Sequence, residues 1–142
     1  MINTEKLYIF SDGGAKNNPG PAGIGVAIYD RNKILLQKLK KYIGVATNNQ
    51  AEYQGVILAL ETAIKKYKSG EVVFYLDSQL VVEQLNGRYK VKNENIAPLF
   101  LKVNKLIEKI PKIQFIHIPR SKNKLADRLV NEAIKRKEHT NF

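Results

Sequence analysis

The sequence predicts an α/β fold built on a mixed five-stranded sheet of order 3-2-1-4-5, flanked by helices. Three observations lead there. The chain opens with three apolar stretches separated by turn residues (Leu7–Phe10, Ala22–Tyr29, Ile34–Lys41), the pattern of an antiparallel meander. Two later stretches, Val72–Leu76 and Ile113–Ile118, are each preceded by a helical segment, as parallel strands joined by crossovers are. Right-handed crossovers then make strands 1, 4 and 5 parallel, with strands 1–3 antiparallel on the other side.

The first strand, Leu7–Phe10, ends in an acid at Asp12, followed by Gly13-Gly14 and an asparagine-rich turn. A carboxylate closing an apolar strand beside two glycines invites a close approach by ligand or backbone; a solvated hairpin tip would use the same residues as turn formers. Small and β-branched residues make the second strand, and Asp30-Arg31-Asn32-Lys33 turns the chain into the third. Thr47-Asn48-Asn49 offers helix N-caps, and the helix runs to about Tyr67 with Glu52, Gly55, Val56, Ala59 and Ala63 on one small-residue face. Ser69-Gly70 ends it. Val72–Leu76 then leads to Asp77, and Ser78–Asn86 is a short helix closed by Gly87. After the polar loop Arg88–Asn95, Pro98 sits in the first turn of a helix with Leu99, Val103, Leu106, Ile107 and Ile110 inward, stopped by Pro111. Arg120-Ser121-Lys122-Asn123 leads from strand 5 into a last helix with Leu129, Val130, Ala133 and Ile134 inward, and Arg136–Phe142 reads as a frayed, basic tail.

At 142 residues the chain reads as one domain, residues 1–142, large enough for a real core. It has no cysteine, which removes disulfides and thiolate metal sites. No apolar run approaches about 18 residues and no leader pattern opens the chain, so the expectation is a cytoplasmic protein with no membrane contact. A net charge of +11 favours a polyanionic partner, and nucleic acid is preferred to membrane; a lysine-rich host proteome would raise the charge without any function.

Parallel neighbouring strands lie about 4.8 Å apart, so Asp12 and Asp77 at the ends of strands 1 and 4 should sit side by side. Ligands of open α/β sheets bind at that edge. Glu52, in the early turns of its helix, and Asp127, in the first turn of the last helix, should converge on it. Four carboxylates so close resist ionising together, and hard divalent cations resolve the conflict. Two Mg²⁺ ions, with Mn²⁺ as a substitute, would activate a water for phosphodiester hydrolysis. Taken singly, Asp77 or Asp127 could equally be a cap or a helix-dipole partner.

The segments SDGGAKNNPGPAGIG, TNNQAEYQGV, LDSQ and NKLADRLVNEA resemble, in order and spacing, the four signature segments of the type 1 ribonuclease H (ribonuclease HI) family, from about Leu7 to Ile134. The resemblance implies a ribonuclease H-like fold and an Mg²⁺-dependent endonuclease that cuts the RNA strand of RNA–DNA hybrids, leaving 5′-phosphate and 3′-hydroxyl ends. It implies Asp12, Glu52, Asp77 and Asp127 as catalytic metal ligands. Asn18, Asn49 and Gln79 match positions that contact the hybrid in its minor groove, and Thr47 a DNA-phosphate contact. Neutral donors and acceptors suit a 2′-hydroxyl, which lysines cannot distinguish; capping and turn formation are the other use of these amides.

The sequence departs from the family in two places. The basic protrusion that many members carry is replaced by the short stretch Gly87–Pro98, leaving scattered lysines (Lys38, Lys40, Lys41, Lys90, Lys92, Lys122) to bind the hybrid. The loop before the last helix, Pro119–Lys122, holds no histidine; Arg120 stands there, able to contact phosphate but not to shuttle protons. The R-x-x-N-x-x-A-D pattern resembles a subgroup with these features. His117 falls in strand 5 and reads as structural, and His139 as idle. A hybrid-binding module without activity and another nuclease of the superfamily remain as competing functions. No obligate protein partner is evident, and a monomer is expected.

Overall fold

The register of the central strand decides where everything else lies. In the computed structural model, which describes residues 2–140, β1 (Lys6–Ala15) pairs antiparallel with β2 (Gly20–Tyr29) from Tyr8↔Tyr29 to Ala15↔Ala22. β3 (Leu35–Ala46) lies on the far side of β2. On its other flank β1 pairs parallel with β4 (Glu71–Leu76), but only from Lys6↔Glu71 to Phe10↔Tyr75. β5 (Lys112–His117) pairs parallel with β4, completing the order β3-β2-β1-β4-β5. The order and strand directions are those the sequence predicts.

The strand ends differ. β1 does not turn after Asp12; it continues along β2 alone, with Gly13 and Gly14 inside the strand and the bend at residues 16–19. β3 runs past Lys41 to Ala46. The last helix continues through Thr140, into the stretch read as a frayed tail. His139 lies on it, and Asn141 and Phe142 lie outside the described residues.

Alternation along the strands sorts the core. Leu7, Ile9, Val72, Phe74 and Leu76 are buried with Tyr53, Val56 and Leu60 of α1 (Asn48–Thr62), the small-faced helix of the sequence reading. Each such side chain contributes about 1.5–3 kcal/mol of burial. Thr47 caps α1 with a reciprocal capping box, its Oγ1 accepting from Gln50 N while Gln50 Oε1 accepts from Thr47 N. A π-helical turn (Ala63–Tyr67) prolongs the helix to the predicted end. α2 (Gln79–Leu85) and α3 (Ala97–Ile107, with Pro98 in its first turn) pack on the same side, and Tyr53 Oη donates to Gln84 Oε1 at 2.7 Å. α4 (Lys124–Thr140) lies across β1, β2 and β3 on the other face. Among the described residues no helix is long and apolar enough to cross a membrane.

Candidate active site

Two glycines on the sheet bring the acids together. A Cβ on Gly13 would stand 2.2 Å from the backbone of Ala51, so only glycine lets α1 press onto β1 there. That contact delivers the next residue of α1, Glu52, to the level of Asp12. A Cβ on Gly25, the cross-strand partner of Asp12, would stand 2.3 Å from the Ala126 carbonyl. Its absence seats the first turn of α4, and with it Asp127, against the opposite face. Asp77 arrives through the parallel register: Phe10 pairs with Tyr75, so two residues on, where pairing has stopped, Asp12 and Asp77 stand abreast.

Oxygens of Asp12, Glu52 and Asp77 lie within 4.8 Å of one another. Asp127 lines the same pocket of about 490 Å³, with Asn49, Ser78 and Arg120 on its walls. Asp12 and Glu52 are buried, and the Gly13 N–H donates to Asp12 Oδ1 at 2.9 Å and to Glu52 Oε1 at 3.2 Å. Burial pushes the Asp12 carboxyl up from 3.8 to about 6, against the lowering hydrogen bond with Glu52 and with help from the charges of Asp77 and Asp127. Burial also raises Glu52 well above the usual carboxylate range, and its hydrogen bond to Asp12 and that neighbour's charge add to the rise. Both carboxyls are raised, and the two titrate as a coupled pair.

The donor set fits a hard divalent cation. It offers only carboxylate oxygens, and Glu52 Oε2 is buried without a hydrogen-bond partner. A buried carboxylate oxygen without a donor is costly, and a cation supplies what it lacks.

The remaining predicted residues fall into two groups. Asn49 and Arg120 line the carboxylate pocket; Arg120 Nη2 donates to Asp127 Oδ1 at 3.1 Å from an exposed position. Asn18, Thr47 and Gln79 are not among the pocket's lining residues. Asn18 Oδ1 accepts from Asn48 N at 3.0 Å at the start of α1, Thr47 caps that helix, and Gln79 is exposed on the first turn of α2. His117 lies in β5 as predicted, but it is exposed, near Glu83, and takes no part in the core.

Two asparagines were missed as site residues. Asn48 Oδ1 accepts from Ala15 N at 2.8 Å and fastens α1 to the end of β1. Asn123, buried, donates through Nδ2 to Ser11 O at 2.9 Å and to Asp77 Oδ2 at 3.0 Å. The signal for Asn123 was its place as the asparagine of the R-x-x-N-x-x-A-D pattern, four residues before Asp127.

Residues 10–133 match the protein family described as reverse transcriptase-like. The bifunctional protein Rv2228c of Mycobacterium tuberculosis is 41% identical over 131 residues, 91% of this chain and 35% of that protein. Ribonuclease HI of Halobacterium salinarum is 33% identical over 129 residues, 91% of this chain and 64% of that protein. The chain thus spans about a third of the mycobacterial relative and just under two thirds of the halobacterial one. Among solved structures, RNase H1 of Halobacterium salinarum superposes with a TM-score of 0.88 at 32% identity, covering 92% of this chain and 98% of that one. LC11-RNase H1, isolated from compost and crystallised with an RNA/DNA hybrid, superposes at 0.87 with 45% identity, covering 92% and 98%. On the family match over residues 10–133, the 33% identity to ribonuclease HI over 91% of this chain and the superposition on the RNase H1 structures, the chain belongs to the type 1 ribonuclease H family.

Proposed function

We propose that the chain is a divalent-metal-dependent endoribonuclease that hydrolyses the RNA strand of RNA–DNA hybrids and leaves 5′-phosphate and 3′-hydroxyl ends. The observation that carries this is the carboxylate edge itself, three acids with oxygens within 4.8 Å and Asp127 facing them across one pocket. Capping or solvation gives no reason to crowd acids where burial raises the cost of each charge. The likeness to LC11-RNase H1, whose structure was solved with a hybrid bound, supports the substrate class.

Asp12, Glu52, Asp77 and Asp127 would hold the metal. When bound, two Mg²⁺ ions, or Mn²⁺ in their place, supply an activated water and stabilisation of the leaving oxygen. The chain's own groups hold the acids in place: the Gly13 N–H grips Asp12 and Glu52, and Asn123 Nδ2 grips Asp77. Arg120 covers Asp127 until a substrate phosphate competes for its guanidinium, which binds phosphate in the same forked geometry. Asn49 at the pocket wall, with Asn18 and Gln79 farther out, offers neutral amides to a minor groove that displays 2′-hydroxyls, and Thr47 a hydroxyl to the DNA strand.

The test is incubation of the purified protein with end-labelled hybrid, duplex DNA and duplex RNA, each with Mg²⁺ or EDTA. The expected outcome is cleavage of the RNA strand of the hybrid alone, and only with Mg²⁺. Binding of hybrid without cleavage would make the chain a hybrid-binding module, and cleavage of duplex DNA would make it another kind of nuclease.

A further inference from the structure

α4 is the one helix on its face of the sheet among the described residues, and it crosses β1, β2 and β3, leaving part of that face bare. The bare part carries a patch of aromatic residues. Tyr8 and Phe10 of β1, Tyr75 of β4 and Tyr29 of β2 are half-buried and line an open pocket of about 460 Å³, walled by residues 121–126 at the start of α4. Tyr8 and Phe10 each stack on Tyr75, with ring centroids 6.4 and 4.6 Å apart, and Tyr29 meets Phe10 edge-on at 5.5 Å. Phe10 and Tyr75 stand two residues before Asp12, on β1, and Asp77, just past the end of β4, so this aromatic floor leads up to the carboxylate edge without sharing a lining residue with its pocket.

Cations rim the floor. Lys33 lines it and places its Nζ 5.6 Å from the Tyr8 ring centroid; Lys124 lines the opposite wall. The backbone of Lys33 is held by construction. It has φ of 62°, an uncommon conformation for lysine, and its turn is locked by Asp30, whose carboxylate accepts from the N–H groups of Asn3, Asn32 and Ile34. A turn needing only its conformation would be served by glycine or asparagine, and the lysine adds a charge beside the Tyr8 ring.

We infer that this floor is a binding site for an unpaired nucleotide of a single-stranded nucleic acid, its base against the Tyr8, Phe10 and Tyr75 rings and its phosphate on Lys33 and Lys124. Aromatic rings and cations side by side are what sequence-tolerant single-strand binding uses. The volume falls within the roughly 300–1,000 Å³ of pockets that enclose a small ligand. An uncharged apolar partner would leave the lysines desolvated without a counter-charge, and a polyanion without bases would leave the rings unused. The site rests on the hybrid reading only for the presence of nucleic acid nearby.

The experiment measures, in EDTA, binding of a fluorescent oligothymidylate of about eight nucleotides, of the same strand made abasic, and of a blunt-ended hybrid. The proteins are wild type, Tyr8→Ala and Lys33→Gly. Glycine accepts the φ of residue 33, so the second variant removes the ammonium without straining the turn. The expected result is oligothymidylate binding that weakens about tenfold in either variant and in the abasic strand, with blunt-hybrid binding and Mg²⁺-dependent cleavage unchanged. Oligothymidylate affinity that is the same in all three proteins, or an abasic strand bound as well as the normal one, overturns the proposal. So does a wild-type dimer in sedimentation that Tyr8→Ala dissolves, since a second copy would then be the occupant. Loss of blunt-hybrid cleavage in wild type would instead count against the ribonuclease reading, and the single-strand arms would still decide the floor.

Discussion

Asp12 meets two opposed demands, burial and charge, and its behaviour with and without metal separates them. Its folded-state carboxyl titrates at about 6 against 3.8 unfolded, so the folded protein holds the proton more tightly. The stability this provides is full below about pH 4 and is lost as pH rises through about 6; Glu52, raised in the same direction by burial, extends the loss upward. Urea unfolding in EDTA should therefore show stability falling between pH 4 and 7, by up to about 3 kcal/mol from Asp12. Asp12→Asn removes the charge and keeps the shape, so in EDTA at pH 7 it should stabilise the fold, while cleavage with Mg²⁺ falls at least about 10³-fold, or roughly 4 kcal/mol of barrier. A variant that cuts within tenfold of wild type would show that the reaction does not depend on the Asp12 carboxylate. Asn123 is the complementary case. Asn123→Ala leaves the Ser11 carbonyl and Asp77 Oδ2 without their shared donor, at a cost of about 1–3 kcal/mol, and should weaken the stabilisation that Mg²⁺ confers in thermal melts. Asp12 and Asp77 were legible because a charge at the end of an apolar strand is conspicuous. Asn123 was not, because an asparagine ahead of a helix reads as a cap until its side chain is seen turned toward the sheet.

At the scale of elements, the period of the pattern found each strand and helix, and failures came where a neighbour overrides local chemistry. Gly13-Gly14 reads as a turn, yet both lie within β1; the reason for Gly13 is the backbone of α1, a contact between residues about forty apart in the chain. Gly13→Ala should therefore do more than an ordinary strand substitution. A Cβ 2.2 Å from Ala51 must push α1 outward, costing about 1–3 kcal/mol or more and withdrawing Glu52 from Asp12. Melting temperature and the Mg²⁺-induced shift should both drop; a normal melt with normal metal response would show that α1 is not seated by that contact. His117 runs the other way. The alternation Ile113, Phe115, His117 suggested an inward side chain, but β5 is an edge strand that ends at His117, and the residue is exposed. His117→Ala should change stability by no more than about 0.5 kcal/mol and leave cleavage near wild type, as surface substitutions do. A hundredfold slower single-turnover rate would reveal a catalytic role that its position does not suggest.

For the whole molecule the governing quantity is the net charge of +11 and how it is spread. No dense basic protrusion is present between α2 and α3, where residues 88–96 form a short, largely exposed connection. Some of the positive charge is already matched internally: Lys40 and Arg128 pair with Glu132, Lys6 and Lys112 with Glu71, Lys102 with Glu61, and Arg88 with Glu83. These surface pairs contribute little to stability, but each lowers the field that a phosphate meets. Hybrid affinity should then rest on a few lysine–phosphate contacts rather than on the total charge, and log affinity should fall linearly with log salt at a slope set by roughly 3–5 neutralised phosphates. Binding in EDTA, titrated at several salt concentrations with a blunt hybrid, measures that slope. A flat plot would detach the charge from substrate binding and leave it a property of the host's lysine usage. A slope matching about ten phosphates would mean that the hybrid engages a much larger part of the cationic surface than a few contacts.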